Sequence, residues 1–119
     1  FSGNASSASG GGIFAETAAG GEGGPTNAVA TPETLTISGS TFSANAAGGE
    51  GFGNGGGIHV ANANATIRQS TVSGNTADGS GGGLSAGNAP YGGTILVTQS
   101  TVSGNSGRFG GGLSVSNGY

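Results

Sequence analysis

Ser70-Thr71-Val72-Ser73-Gly74-Asn75 recurs unchanged as Ser100-Thr101-Val102-Ser103-Gly104-Asn105, and Ser40-Thr41-Phe42-Ser43-Ala44-Asn45 is the same hexamer with Phe and Ala substituted. Phe1-Ser2-Gly3-Asn4 is the tail of a fourth copy. Each copy is followed by a glycine triplet and an aliphatic residue: Gly10-Gly11-Gly12-Ile13, Gly55-Gly56-Gly57-Ile58, Gly81-Gly82-Gly83-Leu84 and Gly110-Gly111-Gly112-Leu113. A third block precedes each full hexamer: Leu35-Thr36-Ile37, Ala65-Thr66-Ile67 and Ile95-Leu96-Val97. Asn45, Asn75 and Asn105 are spaced 30 residues apart, whereas Asn4 and Asn45 are separated by 41 because a loop of about Glu16 to Glu33 is inserted. Constant blocks joined by elastic corners are the mark of a solenoid, whose coils must stack but whose corners can bulge.

Within each block the apolar residues alternate. Ile58 and Val60 flank His59, Leu113 and Val115 flank Ser114, and Leu35 and Ile37 flank Thr36. A period of two predicts strands with the aliphatics on one face. Three short strands per unit follow: one after the glycine triplet, one of the Thr-Ile type, and one carrying Ser-Thr-Phe/Val-Ser. From Ile37 to Phe42 the spacing is odd, so both face inward only if the chain turns a corner near Ser38-Gly39, and likewise at Arg68-Gln69 and Thr98-Gln99. The expected fold is all-β, a right-handed parallel β-helix of about four coils of three short strands, forming a single β-solenoid domain over residues 1–119. The expected inward columns are Ile13/Ile58/Leu84/Leu113, Ala15/Val60/Ala86/Val115, Ile37/Ile67/Val97 and Phe1/Phe42/Val72/Val102. Asn4, Asn45, Asn75 and Asn105 form a further column, whose side chains can hydrogen-bond from coil to coil. Asn also tolerates left-handed backbone at a tight corner. The glycine triplets are expected at positive-φ corners where a Cβ would clash.

Composition fits this reading and removes several functions. The 119 residues include 30 glycines and no cysteine, with two basic and five acidic side chains and a net charge of −3. Such a chain is poor in core formers, so only a fold burying narrow repeated rows can be stable. Arg68 and Arg108 alone cannot neutralise a nucleic-acid backbone, so DNA and RNA binding are not expected. No apolar run reaches the roughly 18–20 residues of a membrane span. Without cysteine there is no disulfide framework. The chain has no signal peptide or initiator methionine, and is read as a mature chain or a piece of a longer solenoid.

The paired motifs resemble the repeats of chlamydial polymorphic outer-membrane proteins, which combine Phe-x-x-Asn with Gly-Gly-Ala-aliphatic on a right-handed β-helix. Phe1/Asn4 and Phe42/Asn45 match the first motif; Val72 and Val102 replace its Phe, and Gly12, Gly57, Gly83 and Gly112 replace the Ala of the second. The chain also looks like glycine-rich β-helix proteins secreted by environmental bacteria. The resemblance implies a surface-exposed, adhesin-like role.

Candidate chemistry is sparse. His59 is the one histidine, on the outward parity of its strand with Phe14, Ser85 and Ser114, and reads as a solvated surface residue. A metal site needs more ligands than this chain supplies. Glu16, Glu22, Glu33, Glu50 and Asp78 share no column, although Glu16 and Glu33 flank the same insertion, so a catalytic carboxylate pair is not expected. Gly48-Gly49-Glu50-Gly51-Phe52-Gly53 begins like a calcium-binding nonapeptide but lacks its Asp, as does Gly20-Gly21-Glu22-Gly23-Gly24-Pro25. Gly51-Phe52-Gly53-Asn54-Gly55-Gly56 fits the dinucleotide pattern, yet no helix follows. Asn4-Ala5-Ser6 and Asn64-Ala65-Thr66 are glycosylation sequons. Asn64 is read as lying in a short corner loop, and Asn4 as poorly accessible within the ladder. The outward threonines form short columns for an ice-binding array, but the Thr36/Thr66 column breaks at Leu96, and Thr41/Thr71/Thr101 is one threonine wide.

No catalytic residue, cofactor or metal is therefore expected. The reading is a structural fibre or stalk, extracellular or on the cell surface, whose partner is itself through end-to-end stacking. The alternative is an adhesin-type module that binds glycans through corner loops 16–33 and 87–93, the latter holding Tyr91.

Overall fold

The computed structural model describes residues 1–16, 34–49, 53–87 and 94–116. Among them there is no helix, and every strand pairing is parallel. The first coil contributes β1 (Ala5–Ser6) and β2 (Ile13–Glu16). The second comprises β3 (Thr34–Ser38), β4 (Thr41–Ser43), β5 (Ala46–Ala47) and β6 (Ile58–Ala61). The third comprises β7 (Asn64–Arg68), β8 (Thr71–Ser73), β9 (Thr76–Ser80) and β10 (Leu84–Gly87), and the fourth β11 (Thr94–Thr98), β12 (Thr101–Ser103), β13 (Ser106–Phe109) and β14 (Leu113–Ser116). Each strand hydrogen-bonds to its counterparts one coil before and after, which defines a parallel β-helix.

The coil has four walls where the sequence pattern gave three. The Thr-Ile wall is β3-β7-β11, the Thr-x-Ser wall β4-β8-β12, and the post-glycine wall β2-β6-β10-β14; the added post-asparagine wall is β1-β5-β9-β13. Its strands carry Ala46-Ala47 and Thr76-Ala77, with no aliphatic alternation to announce them. They are extended because the neighbouring coils present backbone partners in register, Ala5↔Ala46↔Thr76↔Ser106.

The interior is built of the expected columns. Ile13↔Ile58↔Leu84↔Leu113 and Ala15↔Val60↔Ala86↔Val115 pair on the post-glycine wall. Ile37↔Ile67↔Val97 pair on the Thr-Ile wall, and Phe42↔Val72↔Val102 on the Thr-x-Ser wall. The Phe1 ring extends the last column, stacked on Phe42 with centroids 4.8 Å apart and planes 3° from parallel. Phe42, Ile58, Val60, Ile67, Val72 and Leu84 are completely buried. At about 1.5–3 kcal/mol for each such side chain, the column arrangement explains how so few aliphatics sustain a core.

Left-handed residues make the corners on both sides of the Thr-x-Ser wall. Gly39, Gln69 and Gln99 (φ 57°, 51° and 48°) turn the chain from the Thr-Ile wall to the Thr-x-Ser wall. Gly3, Ala44, Gly74 and Gly104 (φ 64°, 54°, 63° and 60°) turn it toward the post-asparagine wall. The left-handed residue is thus the one before each ladder asparagine, not the asparagine itself. The division has a reason: the corner residue takes the strained φ, and the asparagine is left to point its amide along the stack. In the glycine triplets only the first member is left-handed, as at Gly55 (φ 66°). The others are required by close approach: a Cβ on Gly11 would lie 2.5 Å from the Ala46 carbonyl oxygen, and one on Gly57 2.7 Å from that of Gly83.

Candidate functional site

The most developed polar arrangement is the asparagine ladder. Asn4 Nδ2 donates to Asn45 Oδ1, Asn45 Nδ2 to Asn75 Oδ1, and Asn75 Nδ2 to Asn105 Oδ1, each at 2.9 Å. Each acceptor oxygen also takes the backbone N–H of the preceding asparagine, at 3.1, 2.9 and 2.9 Å. The second amide hydrogen goes to a carbonyl of the preceding coil: Asn45 to Phe1, Asn75 to Phe42 and Asn105 to Val72. Asn45 and Asn75 are wholly buried, whereas Asn4, at the first coil, is exposed. A buried carboxamide costs stability unless its polar capacity is satisfied; here each inner rung uses both lone pairs and both hydrogens.

A second ladder had no counterpart in the sequence reading. The Ser70 hydroxyl donates to the Arg68 carbonyl at 2.8 Å and accepts the Ser40 N–H at 3.1 Å. Ser100 repeats this with Thr98 O and the Ser70 N–H, at 2.7 and 3.1 Å. Ser40 donates to Ser38 O at 2.9 Å. The hydroxyls of Ser70 and Ser100 close the left-handed corner of their own coil and tie it to the preceding one. The signal was present in the sequence as the serine opening each hexamer, two residues after the corner carbonyl it caps.

Among the described residues the titratable groups do not converge. Asp78, on β9, accepts the Gly49 N–H at 3.3 Å and so fastens the turn of the preceding coil. Glu16 ends β2 and is exposed. Glu22, Glu33, Glu50 and Tyr91 lie outside the described residues, as do most of segments 16–33 and 87–93. The strands these segments leave, β2 and β10, belong to one wall with β6 between them. Among the described residues no group of three or more His, Asp or Glu side chains could hold a metal, and no helix is long and apolar enough to cross a membrane.

His59 differs from its reading as a solvated residue. It faces away from the coil interior yet is 6% exposed, stacked on Phe14 at 5.5 Å between centroids. Among the described residues its Nδ1 has no hydrogen-bond partner, and neither does Asn62 Oδ1 nearby in sequence. Burial holds the imidazole pKa below its ordinary 6.5. Strand parity indicates which side of a wall a residue occupies, but not what covers that side. Asn64, read as part of a corner loop, instead opens β7, where its Oδ1 accepts from the Thr94 hydroxyl at 2.5 Å.

The arrangement binds coils to one another and, among the described residues, brings together no nucleophile and base. No protein-family model matches the chain, and no curated protein or solved structure does either.

Proposed function

We propose that the chain is a structural element of an extracellular or cell-surface fibre or stalk, made of β-helix coils that also associate end to end. The observation that carries this reading is the repetition of the same rung. Successive coils repeat the asparagine carboxamide and the glycine-lined strand in register, and the second to fourth coils repeat the corner serine, so the pattern can be extended without new chemistry. Negative-stain electron microscopy of the purified chain tests the proposal: thin filaments or rods longer than one chain are expected. A monodisperse monomer at all concentrations would overturn self-association.

The second reading is an adhesin-type module. Its favouring observation is that the two long connections, 17–33 and 88–93, leave from β2 and β10 on the same wall. The motif resemblance to chlamydial surface proteins points the same way. Deleting residues 17–32 separates the two readings: filaments retained with glycan-array binding lost favours the adhesin, whereas no binding by either protein favours the plain fibre.

A further inference from the structure

The four walls differ in the surface they present. On the Thr-Ile wall the Thr36↔Thr66 column ends in Leu96, 57% exposed, and Arg68 stands in the next outward column. The post-asparagine wall changes register between Gly107 and Phe109 and carries Asp78 and Arg108. The post-glycine wall mixes Phe14 and His59 with serines, and its central residues are buried. Among the described residues, only the Thr-x-Ser wall both lacks charged side chains and is unbroken in register. Thr41↔Thr71↔Thr101 and Ser43↔Ser73↔Ser103 run in parallel columns without a register shift.

The sequence reading counted one column of threonines on this wall. The structure supplies the second, because Thr and Ser two apart on a strand point the same way and both lie outside the Phe42↔Val72↔Val102 core column. None of these six hydroxyls takes part in a hydrogen bond among the described residues, whereas the adjacent Ser40, Ser70 and Ser100 are all engaged in the corner ladder. The wall therefore has a fixed side, held by serines, and a presented side, free to bond outward. Its backing is rigid: Phe42 and Val72 are fully buried behind it, and the serine and asparagine ladders pin both of its edges. Side-chain ladders of this kind also suppress the twist that would spoil a regular lattice.

Regularity specifies the partner. Hydroxyls repeat about 4.8 Å along the stack and about 6.6 Å along each strand. Such a grid suits a partner that is neutral, polar and periodic at the same scale. An anionic surface finds no cationic side chain among the outward residues of this wall, and a sugar ring finds no outward aromatic to stack on. A lattice of water molecules meets every condition, since its oxygens recur at comparable spacings and each can both donate to and accept from a hydroxyl. We infer that the Thr-x-Ser wall binds the surface of ice, with threonine and serine hydroxyls occupying water positions and the threonine methyls lying in the gaps between them. Single hydroxyl–water bonds contribute little over liquid water. The array gains because its side chains are already ordered, so little conformational freedom is lost on binding. The inference does not depend on fibre formation, because a single stack carries the same wall.

The test uses the 119-residue chain and three variants. Thr71→Lys places a long cation at the centre of the wall, Thr101→Lys does so in the last coil, and Thr76→Lys puts the same cation on the exposed face of the post-asparagine wall. Thermal melts establish that each is folded, and Thr101→Lys serves if Thr71→Lys is not. Fluorescent protein should concentrate into a growing ice hemisphere, inhibit recrystallisation and facet crystals in an osmometer. Thr71→Lys or Thr101→Lys should lose nearly all of this, and Thr76→Lys should keep it. The inference is overturned if the wild-type chain is excluded from ice, if wall and control variants behave alike, or if the chain is retained on crystalline cellulose or chitin without any effect on ice.

Discussion

Removing the Asn75 side chain should be the most informative single perturbation of the ladder. Asn75→Ala deletes four hydrogen bonds: from Asn45 N and Asn45 Nδ2 to its Oδ1, both 2.9 Å, and from its Nδ2 to Phe42 O at 3.0 Å and Asn105 Oδ1 at 2.9 Å. At about 1 kcal/mol net for each, the loss is about 4 kcal/mol, a large share of the ~5–15 kcal/mol that holds a typical domain. The cost is not recovered from solvent, since Asn45 is fully buried and its N–H would be left unpaired. Asn4→Ala is the matched control. It removes one side-chain bond, Nδ2 to Asn45 Oδ1, from an exposed position and leaves the backbone bond from Asn4 N intact, so about 1 kcal/mol is expected. Urea denaturation of the two variants gives the difference directly, and hydrogen exchange at the Asn45 amide should accelerate in Asn75→Ala alone. Equal costs for the two substitutions would refute the reasoning, because they would show that the buried rung contributes no more than the exposed one.

Three further outcomes follow from the same geometry. Ile67→Asp buries a carboxylate between Ile37 and Val97, and Arg68, the adjacent basic residue, is exposed on the opposite face; a loss of several kcal/mol is expected, against almost none for the outward Thr66→Asp, and thermal melts of the pair would expose any error in strand parity. Gly56→Ala should prevent stable stacking, because its Cβ would collide with the Thr76 and Gly82 carbonyl oxygens, whereas Gly39→Ala meets no atom within 4 Å and bears only the strain of φ 57°, about 1–2 kcal/mol; circular dichroism distinguishes the two. His59 is held below 6.5 by burial, so the unfolded chain binds the proton first as pH falls. Its contribution is therefore complete above about pH 6.5, declines as pH drops toward the depressed folded value, and levels off below it; melts between pH 7.5 and 5 should show that slope, and His59→Gln should flatten it.

The columns were legible because Ile, Val, Leu and Phe recur at fixed offsets from each asparagine, and period two leaves one inward choice for each strand. The post-asparagine wall was not legible. Ala46-Ala47 has no preference for extension and Thr76 is a lone strand former without alternation, and their pairing comes from coils lying 30 or more residues away. The corner was partly legible: the odd spacing from Ile37 to Phe42 located the turn, but the left-handed residue proved to be Gly39, Gln69 or Gln99, and glutamine carries no mark of that conformation. His59 shows the other limit. Its parity was readable, while its burial depends on what lies over the post-glycine wall, for which the repeat has no signature. The two hydroxyl columns of the Thr-x-Ser wall were written in each hexamer, yet only the corner ladder reveals which serines are consumed and which are free.

Among the described residues every rung, whether carboxamide, hydroxyl or backbone amide, joins a coil to the coils directly before and after it. The molecule is thus a one-dimensional chain of couplings, and its cooperativity is a correlation length rather than a property of one enclosed core. A defect in the third coil would divide the stack into two shorter runs, each melting according to its own number of intact junctions. Adding a perfect coil would raise the melting temperature by progressively smaller steps as the ends weigh less in the total. Mechanical load applied along the axis would be resisted one junction at a time, so the weakest junction, and not the sum, would set the force at which the stack parts.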